Sequence, residues 1–111
     1  MNRGDVYLAR LDPTEGTEQA GTRPVIIVSR DALNTGHRVV VVPCTSYKGK
    51  RLYATHVFIQ AGDGGLRTDS VALCDQVRTL SKTRLVDHWG TVSPQSLANI
   101  TTALAIVFAL V

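Results

Sequence analysis

Apolar and polar residues alternate over "DVYLAR", residues 5–10, and a period of two predicts a strand with one buried face. The aliphatic block "PVIIVS", 24–29, does not alternate, which predicts a strand buried on both sides. Between them "LDPTEGTEQAGTRP", 11–24, is polar and bounded by proline, a long loop of the kind that carries function in small domains. "RVVVVPCTS", 38–46, predicts a third strand, with Pro43 tolerated at an edge or a bulge. "THVFIQ", 55–60, predicts a fourth. "AGDGG", 61–65, fits a reversal that needs positive φ; "SVALCDQVRTL", 70–80, predicts one long or two short strands, and "GTV", 90–92, a last short one.

Helical signals are fewer. "SRDALNTG", 29–36, predicts a short helical turn with Ser29 as N-cap and Gly36 as stop, and "SKTRLVDHW", 81–89, predicts another. "SPQSLANITTALAIVFALV", 93–111, predicts a true helix, with Ser93 as N-cap and Pro94 at its first position. Leu97, Ile100, Leu104, Val107, Phe108 and Val111 share one face of it, while Ile106 and Leu110 lie off that stripe. About six short strands and one terminal helix predict a mainly β fold with α, a small, strongly bent antiparallel sheet or barrel.

Length and composition narrow the class. The 111 residues suit one domain, 1–111, and 44% hydrophobic against 19% charged residues argues for a packed core. Twelve Lys and Arg against nine Asp and Glu give a net charge of +3, a mild bias toward polyanions. "MNRGDVYLAR" lacks the apolar run of a secretory signal, and "LANITTALAIVFALV" falls short of the roughly 20 residues that span a bilayer. A cytoplasmic protein without membrane attachment is expected. Cys44 and Cys74 lie in apolar runs and are expected to be reduced and buried.

His37, His56 and His88 are far apart and no C-x-x-C pair exists, so neither a metal nor a cofactor is expected. "GDGG" lacks the Lys-Ser or Lys-Thr of a phosphate loop, and a G-x-S-x-G elbow is absent. Two strand-loop junctions remain. In "GTRP" the fixed φ of Pro24 sets the position of Arg23 beside a buried strand. In "PCTS" alternation turns the Thr45 hydroxyl outward if Cys44 is buried.

Taken in order, "RGDVYLARLDPTEGTEQAGTRPVIIVS", "VVVVPCTS", "GLRTDSVALCDQVRTLSKTRL" and "WGTVS" resemble the MazF/PemK family of toxin ribonucleases over essentially the whole chain. The resemblance implies an SH3-like antiparallel β-barrel with a C-terminal helix, forming a homodimer whose interface groove takes single-stranded RNA. It implies a toxin of a type II toxin-antitoxin system, a sequence-specific endoribonuclease (mRNA interferase), held by a cognate MazE-like antitoxin and meeting operator DNA only through that complex. Arg23 matches the family's catalytic arginine and Thr45 its catalytic threonine. Glu18, Gln19, Gly21 and Ser46 match positions lining the RNA, as do Asp75, Gln76 and Arg78.

RNA carries its own nucleophile, so the protein must supply proton transfer and stabilise the crowded phosphoryl transition state. The forked donors of Arg23 suit nonbridging oxygens and Thr45 adds a hydroxyl donor. The expected products are a 2′,3′-cyclic phosphate and a 5′-hydroxyl, formed without a metal. The general base is open between Arg23 and Glu18, and a structural loop carboxylate is the plain alternative for Glu18. Lys48, Lys50 and Arg51 form a basic hairpin tip that either follows the RNA backbone or is a solvated turn. Tyr7, Tyr47, Tyr53 and the two Phe are sparse for base stacking, so sequence preference is expected from hydrogen bonds in loops. The competing functions are a noncatalytic CcdB-like toxin that binds DNA gyrase and a plain RNA-binding barrel; the pairing of "GTRP" with "PCTS" favours cleavage.

Overall fold

A computed structural model describes residues 1–111. The strands are β1 (Asp5–Arg10), β2 (Thr22–Ile27), β3 (Arg38–Ser46), β4 (His56–Ile59), β5 (Ser70–Leu73), β6 (Arg78–Ser81) and β7 (Leu85–Thr91), followed by α1 (Pro94–Val107). They form one antiparallel sheet in the order β4-β5-β3-β2-β1-β7, with β6 also on β3. The end strands β4 and β7 do not pair, so the barrel is open along one seam. The turn after β4 covers that seam. Gly64 and Gly65 lie so close to β7 that a methyl group at Gly65 would stand 2.2 Å from the Trp89 carbonyl oxygen, and both need positive φ.

The unbroken aliphatic strands do bury both faces. Val25, Ile27, Val39 and Val41 join Ala9, Leu11 and Leu80 on one side. Ile26, Val42 and Cys44 join Val6, Ile59, Ala72 and the helix residues Ile100 and Ala103 on the other. Burying a side chain such as Ile100 stabilises the fold by about 1.5–3 kcal/mol, which holds α1 to the sheet.

Strand β3 spans the residues its pattern predicts, and Pro43 explains how it changes partners. Cys44 faces Ala72 of β5 while Val41 faces Arg78 of β6; the extra residues between those partners, Cys74–Gln76, form a 3₁₀ turn. Pro43 sits beside that excursion, where no ladder needs its missing N–H. "SVALCDQVRTL" is therefore two short strands.

Other expectations are corrected. Seven strands form rather than about six, because "SVALCDQVRTL" gives two, and the last strand is longer than "GTV": "LVDHWGT" pairs with β1 after a helical turn confined to Lys82–Arg84. Two register shifts break its alternation and leave Val86, Asp87 and His88 outside. Ser29 is not an N-cap: the 3₁₀ turn Leu33–Thr35 has Ala32 at its start, and the Ser29 hydroxyl instead donates to Asn34 Oδ1 and accepts from the Val40 N–H. Ser93 does cap α1, accepting from the Ser96 N–H, but the helix ends at Val107, leaving Phe108 57% and Val111 89% exposed rather than in the core. Ile106 and Leu110 are exposed, as their off-stripe positions predict. Cys44 and Cys74 are free and buried.

Asp63 adds a tie that no local pattern reveals. Its carboxylate accepts from the Ser93 N–H (2.7 Å), the Ser93 hydroxyl (3.1 Å) and the Ser96 hydroxyl (2.5 Å) at the start of α1. Burial alone would raise this carboxyl, but the bonds from Ser96 and Ser93 together hold it below its ordinary 3.8.

Candidate active site at the β2–β3 fork

The β2–β3 ladder ends with Val25 opposite Pro43. Continuing that register would set Arg23 opposite Thr45, but β3 leaves to pair with β5 and β2 stays with β1. A hollow of about 360 Å³ opens in the fork, and Arg23 and Thr45 both line it. Cys44 is buried in the core, and alternation along β3 turns Thr45 to the opposite face.

Arg23 is part of β2 rather than of the loop. Its Nε donates to the Ala20 carbonyl at 3.2 Å, which fixes the guanidinium and leaves its two Nη groups for a ligand. Ser46 lines the same hollow, its hydroxyl 3.4 Å from that of Thr68. Arg67 also lines it, and no carboxylate does. Two guanidinium groups among hydroxyls, with no acid to neutralise them, make a site for an anion.

Glu18, Gln19, Asp75, Gln76 and Arg78 gather around a second hollow of about 350 Å³, which meets β3 at Pro43. The Gln19 N–H donates to Gln76 Oε1 (2.6 Å) and Arg78 Nη1 to the Leu11 carbonyl (3.2 Å), so the polar loop is pinned to the Cys74–Gln76 turn. Glu18 accepts the Glu15 N–H at 2.7 Å, the structural use open to it, and stands beside the Arg23 hollow rather than in it. Gly21 has φ of +80° and its carbonyl accepts the Leu11 N–H (2.8 Å), which closes the base of the loop. Lys48, Lys50 and Arg51 line a third hollow of about 310 Å³ that shares Thr45 and Ser46 with the first. His56 stands in it, 3.4 Å from Asp75. All three spaces thus border the stretch Pro43–Ser46.

Sequence reasoning missed Arg67 and Trp89 as site residues. The Arg67 guanidinium lies over the Trp89 indole, 4.4 Å from the ring centre. The only signal was "GLRTDS" after a glycine-rich turn, and nothing local places β7 beneath it.

The open, helix-backed antiparallel sheet and the fork lined by Arg23 and Arg67 define a class, and comparison with known proteins supplies the family. The chain belongs to the PemK-like, MazF-like toxins of type II toxin-antitoxin systems, whose family profile matches residues 2–108. It is 40% identical over 107 residues to Endoribonuclease MazF of Staphylococcus saprophyticus, covering 96% of this chain and 89% of that one. Among solved structures it is similar to a mycobacterial endoribonuclease in complex with its cognate antitoxin (34% identity, TM-score 0.82, 100% and 97% of the two chains). It shares the fold of MazF from Deinococcus radiodurans (24% identity, TM-score 0.84, 98% and 96%). The enzyme class is that of a MazF-type endoribonuclease toxin.

Proposed function

We propose that residues 1–111, as one toxin domain, cut single-stranded RNA without a metal ion, with the scissile phosphate held in the fork hollow. The observation that carries this reading is the joint lining of that hollow by Arg23 and Thr45, with no carboxylate present. In the reaction the RNA 2′-oxygen bonds to phosphorus as its proton passes to a base, and the bond from phosphorus to the 5′-oxygen breaks. That oxygen takes a proton from water, leaving a 2′,3′-cyclic phosphate and a 5′-hydroxyl. Arg23 holds the nonbridging oxygens through its free Nη groups, and Thr45 donates a further hydrogen bond. The base is Arg23 itself or Glu18 from the adjoining hollow.

Around this centre Gln19, Gly21, Ser46, Asp75, Gln76 and Arg78 read the flanking nucleotides, and Lys48, Lys50 and Arg51 follow the backbone by charge. A second copy of the chain covers the exposed Ile106, Phe108 and Leu110. A cognate antitoxin competes with RNA for the same basic residues, a reading supported by the mycobacterial relative's complex with its antitoxin. The test is incubation of purified protein with long single-stranded RNA in excess EDTA, followed by mapping of the ends. New cyclic-phosphate and 5′-hydroxyl ends are expected; cleavage only after a divalent ion is restored would overturn the mechanism.

A further inference from the structure

The fork hollow holds a second guanidinium, that of Arg67, in an arrangement that goes beyond surface charge. The turn Gly62–Gly65 lies against β7, and Leu66, 2% exposed, anchors the residue before Arg67 in the core. Arg67 is thereby delivered over the Trp89 ring at 4.4 Å, where the negative π-face holds a cation. Trp89 has its own peculiarity: its indole Nε1 is buried with no hydrogen-bond partner. Buried tryptophan usually finds one, and an orphaned donor is destabilising. The ring is therefore in place for its face, not for its donor. The two contacts between a basic side chain and a carboxylate, His56 with Asp75 and His88 with Asp5, lie elsewhere, so the charge on Arg67 is not spent on the protein.

We propose that Arg67, held over the Trp89 ring, is a phosphate-binding residue of the RNA site, gripping the backbone across the hollow from Arg23. The guanidinium carbon stands 4.4 Å from the indole centre and none of its N–H donors is bonded to the protein, which leaves them for bidentate contact with phosphate oxygens. This inference rests on the RNA-cleaving function proposed above and adds a specific contact to it.

The experiment measures binding of a fluorescent, uncleavable 2′-O-methyl RNA of mixed sequence, as a function of salt, by the parent protein and by R67Q, W89F, W89L and R30Q. Arg30 is exposed and lies outside the three hollows, so R30Q removes the same charge away from the site. R67Q is expected to weaken binding roughly tenfold at moderate salt and to reduce the slope of log affinity against log salt by about 0.7, one phosphate contact on a single strand. W89F keeps an aromatic face and drops the orphaned donor, so its slope should match the parent; W89L should move toward R67Q. R67Q is a surface change whose fold is checked by circular dichroism, and it decides the matter even if W89L unfolds. A parent that binds and cleaves RNA while R67Q behaves like R30Q would overturn the role of Arg67 alone. A parent that neither binds nor cleaves would overturn both readings.

Discussion

Replacing Asp63 by alanine tests how the turn that carries Arg67 is tied to the helix. The carboxylate accepts from the Ser93 N–H at 2.7 Å and from the hydroxyls of Ser93 and Ser96. In Asp63→Ala the hydroxyls can turn to other acceptors, but the Ser93 N–H loses its partner. One charged hydrogen bond contributes about 1.5–3 kcal/mol, and a carboxylate beside a helix N-terminus about 0.3–1 kcal/mol. A net loss of about 2–3 kcal/mol lowers Tm by roughly 8–15 °C for a chain of this size. The pH dependence gives an independent check. Because the Asp63 carboxyl is held below 3.8 in the folded protein, its contribution is fully present above that value and is lost as pH falls through the folded one. Thermal unfolding followed by circular dichroism should show a gap between parent and variant that is constant above about pH 4.5 and closes on further acidification. A variant that melts with the parent at neutral pH, or a gap that does not close in acid, would refute the reasoning.

Gly65→Ala places a methyl group 2.2 Å from the Trp89 carbonyl oxygen at φ of +77°, and the backbone term alone costs about 1–3 kcal/mol; unchanged thermal unfolding would contradict the close packing of this turn on β7. Burial, reinforced by Cys74 nearby, pushes the Cys44 thiol up to about 12, so the native protein should resist iodoacetamide near pH 8 and react once unfolded; a Cys44 adduct formed at the rate of a free thiol would show the core to be open. The exposed Ile106, Phe108 and Leu110 predict a homodimer in sedimentation at micromolar concentration, and a monomer would contradict the proposed partner for that face.

What could be read from the sequence follows from which signals are local. β1 and β3 match their patterns because alternation or an unbroken aliphatic run spans each whole strand, and Ser93-Pro94 marks the start of α1 by capping chemistry. Only the end of β7, within "GTV", could be read because its register shifts erase the period before that, and Ser29 misled because its hydroxyl accepts from the Val40 N–H in β3 and not from a helix N-terminus. At the site, Arg23 and Thr45 could each be read beside a proline, but their meeting depends on the register of Val25 with Pro43 and on the separation of the strands beyond it. Arg67 and Asp63 act on partners in β7 and α1, distances that no window along the chain contains.

The most direct measurement is the single-turnover cleavage rate in EDTA for the parent, Arg23→Lys and Thr45→Val, set beside their affinities for an uncleavable RNA. Arg23→Lys keeps the charge and loses the fork, while Thr45→Val keeps the shape and loses the hydroxyl. The account predicts that the parent cleaves in EDTA, that both variants bind RNA nearly as well as the parent, and that Thr45→Val is slower by about 10²-fold, the cost of a lost oxyanion donor. Parental cleavage rates in both variants would make the fork a structural feature and contradict its role as the catalytic centre.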